Sequence, residues 1–243
     1  MTHSLLAALA GGLIVSCQAY PNEPMRHPET MTQIAEAAVR GGAVGIRAQG
    51  LDDIRSVHQR VSLPQIGLWK DGAADVFITP TLEHALAVID AGAEIVAIDG
   101  TRRPRPDRLS LAETIARIHE QTTALVMADI GSVADGIAAF EAGADCVGTT
   151  LCGYTGERSK TDGPDLEVLR ILAATLPIPV IAEGRVHTPA QASACIDAGA
   201  FAVVVGTAIT HPTTITSWFA ESVSRSPSGS PVRAASRGGG PVT

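Results

Sequence analysis

The chain has almost no lysine. Only two of its eighteen basic residues are lysine and the rest are arginine, so proton transfer or imine chemistry by a cationic side chain falls on very few positions, because arginine keeps its proton in a protein. Aromatic residues are scarce at 3% beside a hydrophobic content of 45%. A core of Ala, Val, Ile and Leu suits strands packed between helices rather than a sandwich. The four cysteines, Cys17, Cys146, Cys152 and Cys195, have no CxxC spacing, which argues against a structural zinc site and reads as reduced core thiols of a cytoplasmic protein. The seven histidines form no HxH or HExxH pattern and none closes a strand, so no metal site and no cofactor are expected. Net charge of −7 argues against nucleic-acid binding, which draws on a broad positive surface. No run reaches the roughly 18 apolar residues of a membrane span. The apolar segment Leu5–Cys17 resembles a signal peptide, but no Lys or Arg precedes it and Gly11 and Gly12 divide it into a short helix and a strand, so it is read as part of the fold.

What the chain does have is a repeat. A small-Gly-Ala element stands before a hydrophobic run at Gly41-Gly-Ala43, Ala91-Gly-Ala93, Ala142-Gly-Ala144 and Ala198-Gly-Ala200, about 50 residues apart, the span of two strand-helix units. Glycine after an amphipathic run is the expected helix C-cap. Strand-like runs fall near Leu13 to Gln18, Ala43 to Arg47, Gln65 to Lys70, Glu94 to Asp99, Ala124 to Asp129, Asp145 to Thr150, Pro179 to Glu183 and Ala202 to Thr207, and Asp75 to Pro80 could add another short strand. Between them, Ser110-Leu-Ala-Glu113 is a capping box, Ser132 and Thr188 are N-caps, and Pro189 suits a first helical position. Eight strand-helix pairs in this length predict an α/β fold, a single (β/α)8 TIM barrel of the phosphate-binding type, rather than an open doubly wound sheet. The expected organisation is a helical cap over residues 1–10, the barrel over 11–223, and a disordered Pro/Gly/Ser/Arg tail over 224–243.

Active sites of such barrels form at the C-terminal strand ends. Here those ends carry Gln18, Arg47, Lys70, Asp99, Asp129, Thr149 with Thr150, Glu183, and Gly206 with Thr207. For any one of them a strand meeting water is an adequate account; for two cations, three carboxylates and an amide converging on one mouth it is not. Glu183-Gly-Arg-Val and Val205-Gly-Thr-Ala place glycines on strands seven and eight, where backbone amides of Gly184 and Gly206 could hold a phosphate with help from Arg185 or Thr207. The cluster Arg102-Arg-Pro-Arg-Pro-Asp-Arg108 follows strand four and is read as shaping a mouth for an anionic substrate or as a solvated loop.

These residues resemble a known family, the N-acetylmannosamine-6-phosphate 2-epimerases of amino-sugar and sialic-acid catabolism. The resemblance covers residues 11–223 through Leu13-Ile-Val-Ser-Cys-Gln18, Gly41-Gly-Ala-Val-Gly-Ile-Arg-Ala-Gln-Gly50, Phe77-Ile-Thr-Pro-Thr81, Met127-Ala-Asp-Ile130, Thr149-Thr-Leu-Cys-Gly-Tyr-Thr155 and Val180-Ile-Ala-Glu-Gly-Arg185. It implies a catalytic lysine at Lys70, an essential glutamate at Glu183, and sugar-binding groups at Gln18, Arg47 and Asp129; Thr149, in the same ring of strand ends, is a further candidate substrate contact. The family's Ala-Ile-Thr-Arg-Pro segment, whose arginine is a phosphate ligand, reads Ala208-Ile-Thr-His-Pro212 here. His211 donates fewer bonds and loses its charge near neutral pH, and Arg185 is the candidate to compensate. The implied partner is a phosphorylated amino sugar, with neither nucleic acid nor membrane involved; the oligomeric state is left open, a homodimer being one assembly it allows.

Epimerisation at carbon 2 of an open-chain 2-acetamido sugar removes a proton beside a carbonyl and returns it on the other face. Lys70 and Glu183, four strands apart in eight, would stand on opposite sides of the planar intermediate. Alternatively Lys70 handles both transfers and Glu183 assists ring opening. Arg47 would neutralise charge on oxygen and Asp129 position a hydroxyl. Two rivals share the barrel: a Schiff-base lyase or synthase using Lys70 as the amine, and a non-catalytic phosphosugar sensor.

Overall fold

The computed structural model describes residues 4–224. In chain order the elements are α1 (Ser4–Ala7), β1 (Leu13–Cys17), α2 (Pro28–Arg40), β2 (Gly45–Gln49), α3 (Leu51–Arg60), β3 (Gln65–Leu68), α4 (Leu82–Asp90), β4 (Ile95–Asp99), α5 (Leu111–Gln121), β5 (Leu125–Asp129), α6 (Val133–Glu141), β6 (Cys146–Gly148), α7 (Leu166–Thr175), β7 (Val180–Glu183), α8 (Pro189–Asp197), β8 (Ala202–Val205), α9 (Thr207–Thr210) and α10 (Pro212–Ser224). All eight strands are parallel and pair in sequence order, with β8 closing on β1. This is a (β/α)8 barrel. The tail expected from residue 224 onward lies outside the described residues, except for Ser224, which ends α10. Among the described residues no helix is long and apolar enough to cross a membrane.

Strand side chains alternate between two hydrophobic layers, as a period of two requires. Ile14, Ile66, Leu68, Ile95, Ala97, Leu125, Met127, Cys146, Ile181, Ala202 and Val204 fill the barrel interior, with Leu6 and Leu9 in the same cluster. Val96, Ile98, Val126, Ala128, Val147, Ala182 and Val203 face the helices. All four cysteines are buried free thiols, and burial raises the thiol pKa of each.

The repeated small-Gly-Ala element has one geometry throughout. Gly42, Gly92, Gly143 and Gly199 have φ of 94°, 114°, 97° and 97°, and each following N–H bonds back across the turn, Ala43 to Ala38, Ala93 to Val88, Ala144 to Ala139 and Ala200 to Cys195. This is the Schellman closure, which needs a left-handed residue after the helix. It also corrects one strand boundary: Ala43 is committed to the turn, so β2 begins at Gly45 and Arg47 is a mid-strand residue rather than its last.

Other strand ends are shorter than the apolar runs suggest. Gln18 and Lys70 lie beyond β1 and β3, Thr149–Leu151 forms a 3₁₀ turn after β6, and Thr207 opens α9. The Asp75 to Pro80 segment is no ninth strand; it makes a single antiparallel bridge, Ile78 with Lys70. Thr79 anchors it from a buried position, accepting from Trp69 N and donating to the Ala97 carbonyl at 2.6 Å. The Ser110 capping box and the Thr188 N-cap, which pairs with Gln191, are both present.

Candidate active site

Strand parity aims the polar residues at one place. Arg47 on β2 shares its side with Gly45, Asp129 on β5 with Met127 and Leu125, Glu183 on β7 with Ile181, and Lys70 continues the parity of Ile66 and Leu68. They meet at the C-terminal mouth, where a cavity of about 630 Å³ is lined by Ser16, Gln18, Arg47, Lys70, Thr150 and Glu183, with Phe77, Ile78 and Arg103 from beyond β3 and β4, Leu151 from beyond β6, and Gly184, Gly206, Thr207 and His211 from beyond β7 and β8.

Arg47 organises the floor. Its side chain is 1% exposed, and its two terminal nitrogens grip the Asp129 carboxylate, Nη1 to Oδ1 at 3.2 Å and Nη2 to Oδ2. Burial works against the guanidinium charge, but Asp129 and Glu183 outweigh it and hold the arginine pKa above its ordinary value. Thr150 Oγ1 donates to Asp129 Oδ1 at 2.6 Å. Asp129 is fully buried behind Arg47 and does not line the cavity, so its contact is with Arg47 and Thr150 rather than with anything in the mouth. A buried pair satisfied this way fixes orientation, whereas removal of one partner strands a charge.

Glu183 Oε2 lies 2.8 Å from Arg47 Nη1 in an ion pair, yet that oxygen is buried without a hydrogen bond. Desolvation therefore dominates: the carboxyl is pushed up to about 7, with Arg47, Thr150 and Lys70 pulling the other way and Asp129 reinforcing the rise. On the opposite side, Lys70 Nζ donates to Gln18 Oε1 at 2.9 Å, and Gln18 Nε2 donates to Ser16 Oγ at 2.8 Å. Solvent reaches Lys70 through the mouth, but the surrounding protein still strips water from its ammonium; this, with the positive charge of Arg47, lowers its pKa, while Glu183 and Asp129 oppose the shift. Acid and amine are thus both moved toward neutrality.

The β7–β8 side differs from the sequence reading in two residues. Arg185, at φ 57°, commits its guanidinium elsewhere: Nε donates to Gly163 O at 3.0 Å, Nη1 to Cys152 O at 2.8 Å and Nη2 to Thr161 Oγ1 at 3.0 Å. It ties down the chain between β6 and α7 and lines a neighbouring cavity with Lys160 and Thr207 rather than the one that His211 faces. Thr149 likewise turns away, its hydroxyl donating to Glu183 O and accepting from Glu183 N, both at 2.9 Å; the neighbouring Thr150 lines the cavity instead. His211 does face the cavity, 8% exposed and edge-on to Tyr20 at 4.7 Å. Desolvation lowers its pKa, helped by Lys70 and opposed by the Gln18 backbone and Glu23, and its Nδ1 is buried without a partner among the described residues. The backbone amides of Gly184, Gly206 and Thr207 donate to no protein group among the described residues.

Arg103 was not singled out from its arginine cluster by sequence, and it alone of that cluster lines the cavity. Among the described residues no three His, Cys, Asp or Glu side chains group as metal ligands.

Residues 31–225 match a protein-family model described as "Putative N-acetylmannosamine-6-phosphate epimerase". Curated relatives under the same description, as the 2-epimerase, include a Cutibacterium acnes protein 62% identical over 91% of this chain and 98% of its own length, and a Caldanaerobacter subterraneus protein 47% identical over 90% and 94%. The solved N-acetylmannosamine-6-phosphate 2-epimerase from Clostridium perfringens superposes with a TM-score of 0.87 at 40% identity, covering 91% of this chain and 97% of that one. A thiamine phosphate pyrophosphorylase from Pyrococcus furiosus, at 17% identity and a TM-score of 0.59, shares the fold alone.

Proposed function

The chain belongs to the N-acetylmannosamine-6-phosphate epimerase family, and from that membership we propose that it interconverts N-acetylmannosamine 6-phosphate and N-acetylglucosamine 6-phosphate by moving the proton on carbon 2 of the open-chain sugar between Lys70 and Glu183. The observation that carries this reading is the placement of Lys70, just past β3, and Glu183, on β7, four strands apart and lining one cavity, with burial raising the carboxyl to about 7 and lowering the amine from its usual range. An acid and a base serve proton transfer best when their pKa values lie near the working pH.

One group abstracts the proton from one face, an enolate forms, and the other group returns a proton to the opposite face. The productive pair holds one proton between its two members. Arg47, kept ionised and rigid by Asp129, supplies positive charge beside the developing oxyanion; Asp129 is therefore a positioning residue. Gln18 orients the Lys70 amine. The free amides of Gly184, Gly206 and Thr207, with His211, form the phosphate cradle.

The test is incubation with N-acetylmannosamine 6-phosphate in deuterated water, with carbon 2 followed by NMR. Deuterium at carbon 2 of both epimers is the expected result. Neither product nor deuterium uptake would overturn the activity, and a borohydride-trapped adduct on Lys70 during turnover would replace proton transfer with imine chemistry.

A further inference from the structure

We propose that Arg103 reads the acetamido group of the substrate, its free Nη1 donating to the amide carbonyl while Ile78 and Phe77 cover the methyl. This rests on the epimerase reading above. Arg103 follows β4 and is held from two directions. Its Nη2 pairs with Asp99 Oδ2 at 2.7 Å and its Nε donates to Thr101 Oγ1 at 2.9 Å. Asp99 is itself fixed, its Oδ1 accepting from Thr101 N and Oγ1 at 3.0 and 2.6 Å. Among the described residues Nη1 has no protein partner, and it belongs to a side chain that lines the cavity. A guanidinium locked by two of its nitrogens with the third left over is a preorganised donor.

Its placement selects the ligand group. Ile78 bridges to Lys70 on one side, and its carbonyl accepts from Asp99 N at 3.0 Å on the other, so Lys70, Ile78, Asp99 and Arg103 form one continuous wall. Arg105 fastens that wall, donating to Asp99 O and Thr79 O, both at 2.8 Å. The carbon that Lys70 deprotonates also bears the acetamido nitrogen, so the acetyl group lies within a few bonds of Lys70 Nζ. Nearby, Gln18 Nε2 is turned toward Ser16, and both terminal nitrogens of Arg47 face Asp129 and Glu183. An amide carbonyl with a methyl behind it matches a free cationic donor beside an apolar surface.

The experiment compares two unreactive open-chain probes, 2-acetamido-2-deoxyglucitol 6-phosphate and glucitol 6-phosphate, by calorimetric Kd on wild-type protein, Arg103→Ala and Arg103→Lys. Arg103→Lys keeps a cation opposite Asp99 but has no second terminal nitrogen. Wild-type protein should prefer the acetamido probe by about 10- to 100-fold, the range of a hydrogen bond to a charged donor. Both variants should lose most of that preference while binding glucitol 6-phosphate as before. Equal losses on both probes would assign Arg103 to the phosphate or to the wall's integrity and overturn the proposal, as would full preference retained in Arg103→Lys. Wild-type turnover in the deuterium experiment tells a failure of this assignment from a failure of the epimerase reading.

Discussion

The barrel interior has two halves built from the same strands on the same face. Toward the strands' N-terminal ends, the inward positions are Ile14, Gly45, Ile66, Ile95, Leu125, Cys146 and Ala202; toward and just past the C-terminal ends they are Arg47, Lys70, Asp99, Asp129 and Glu183. Parity aims both sets alike. What separates them is height along the strand: the lower half is sealed by Leu6 and Leu9, where an ion would be unpaired in an apolar medium, while the upper half lets charges neutralise one another beside an open mouth. Stability and chemistry therefore occupy different layers of one surface and should respond separately to substitution.

The sharpest break of that division is Lys70→Ala, which should lower kcat by about 10³-fold with the folding transition unmoved; near-wild-type turnover would remove Lys70 from the reaction. The converse is Ile95→Ala in the lower half. It should destabilise the fold by about 2–5 kcal/mol in denaturant melts and leave kcat of the folded enzyme unchanged, and a parallel loss of kcat would show that the layers are coupled. Next is the pH profile. The productive pair carries one proton, so below the Glu183 value of about 7 both groups become protonated and no base remains. Accordingly kcat/KM should fall about tenfold per pH unit on the acid side. On the alkaline side both groups lose their protons, at a pH below the ordinary lysine value because Lys70 is shifted down. Glu183→Gln should remove most turnover and erase the acid limb from what remains; a limb that survives belongs to another group. The smallest effect belongs to the rim: His211→Arg, which adds a permanent cation, should lower KM for the phosphosugar about fivefold, and an unchanged KM would place the phosphate elsewhere.

The barrel was legible because its signals are local: a period of two, N-caps, and four glycines whose turns need left-handed backbone. The ring of strand-end residues was legible for the same reason. Its partnerships were not. That Arg47 grips Asp129 depends on side chains reaching across the barrel from β2 to β5, which no spacing in the chain encodes. Thr149 and Thr150 show the limit most sharply, since a single step reverses which side a residue faces and nothing in Asp145 to Thr150 marks where the strand gives way to a 3₁₀ turn. Arg103 was hidden among four arginines within seven residues, where only the folded loop decides which one turns inward.

Arg185 carries a consequence for how the substrate arrives. Its guanidinium is held by three neutral acceptors, Gly163 O, Cys152 O and Thr161 Oγ1, so its charge stays uncancelled, and it lines a cavity with Lys160 and Thr207 beside the cradle. Amide dipoles act only at contact, whereas a fixed cation acts over distance. Encounter with the sugar phosphate should therefore slow as salt rises, while the close-range fit to the amides should not change.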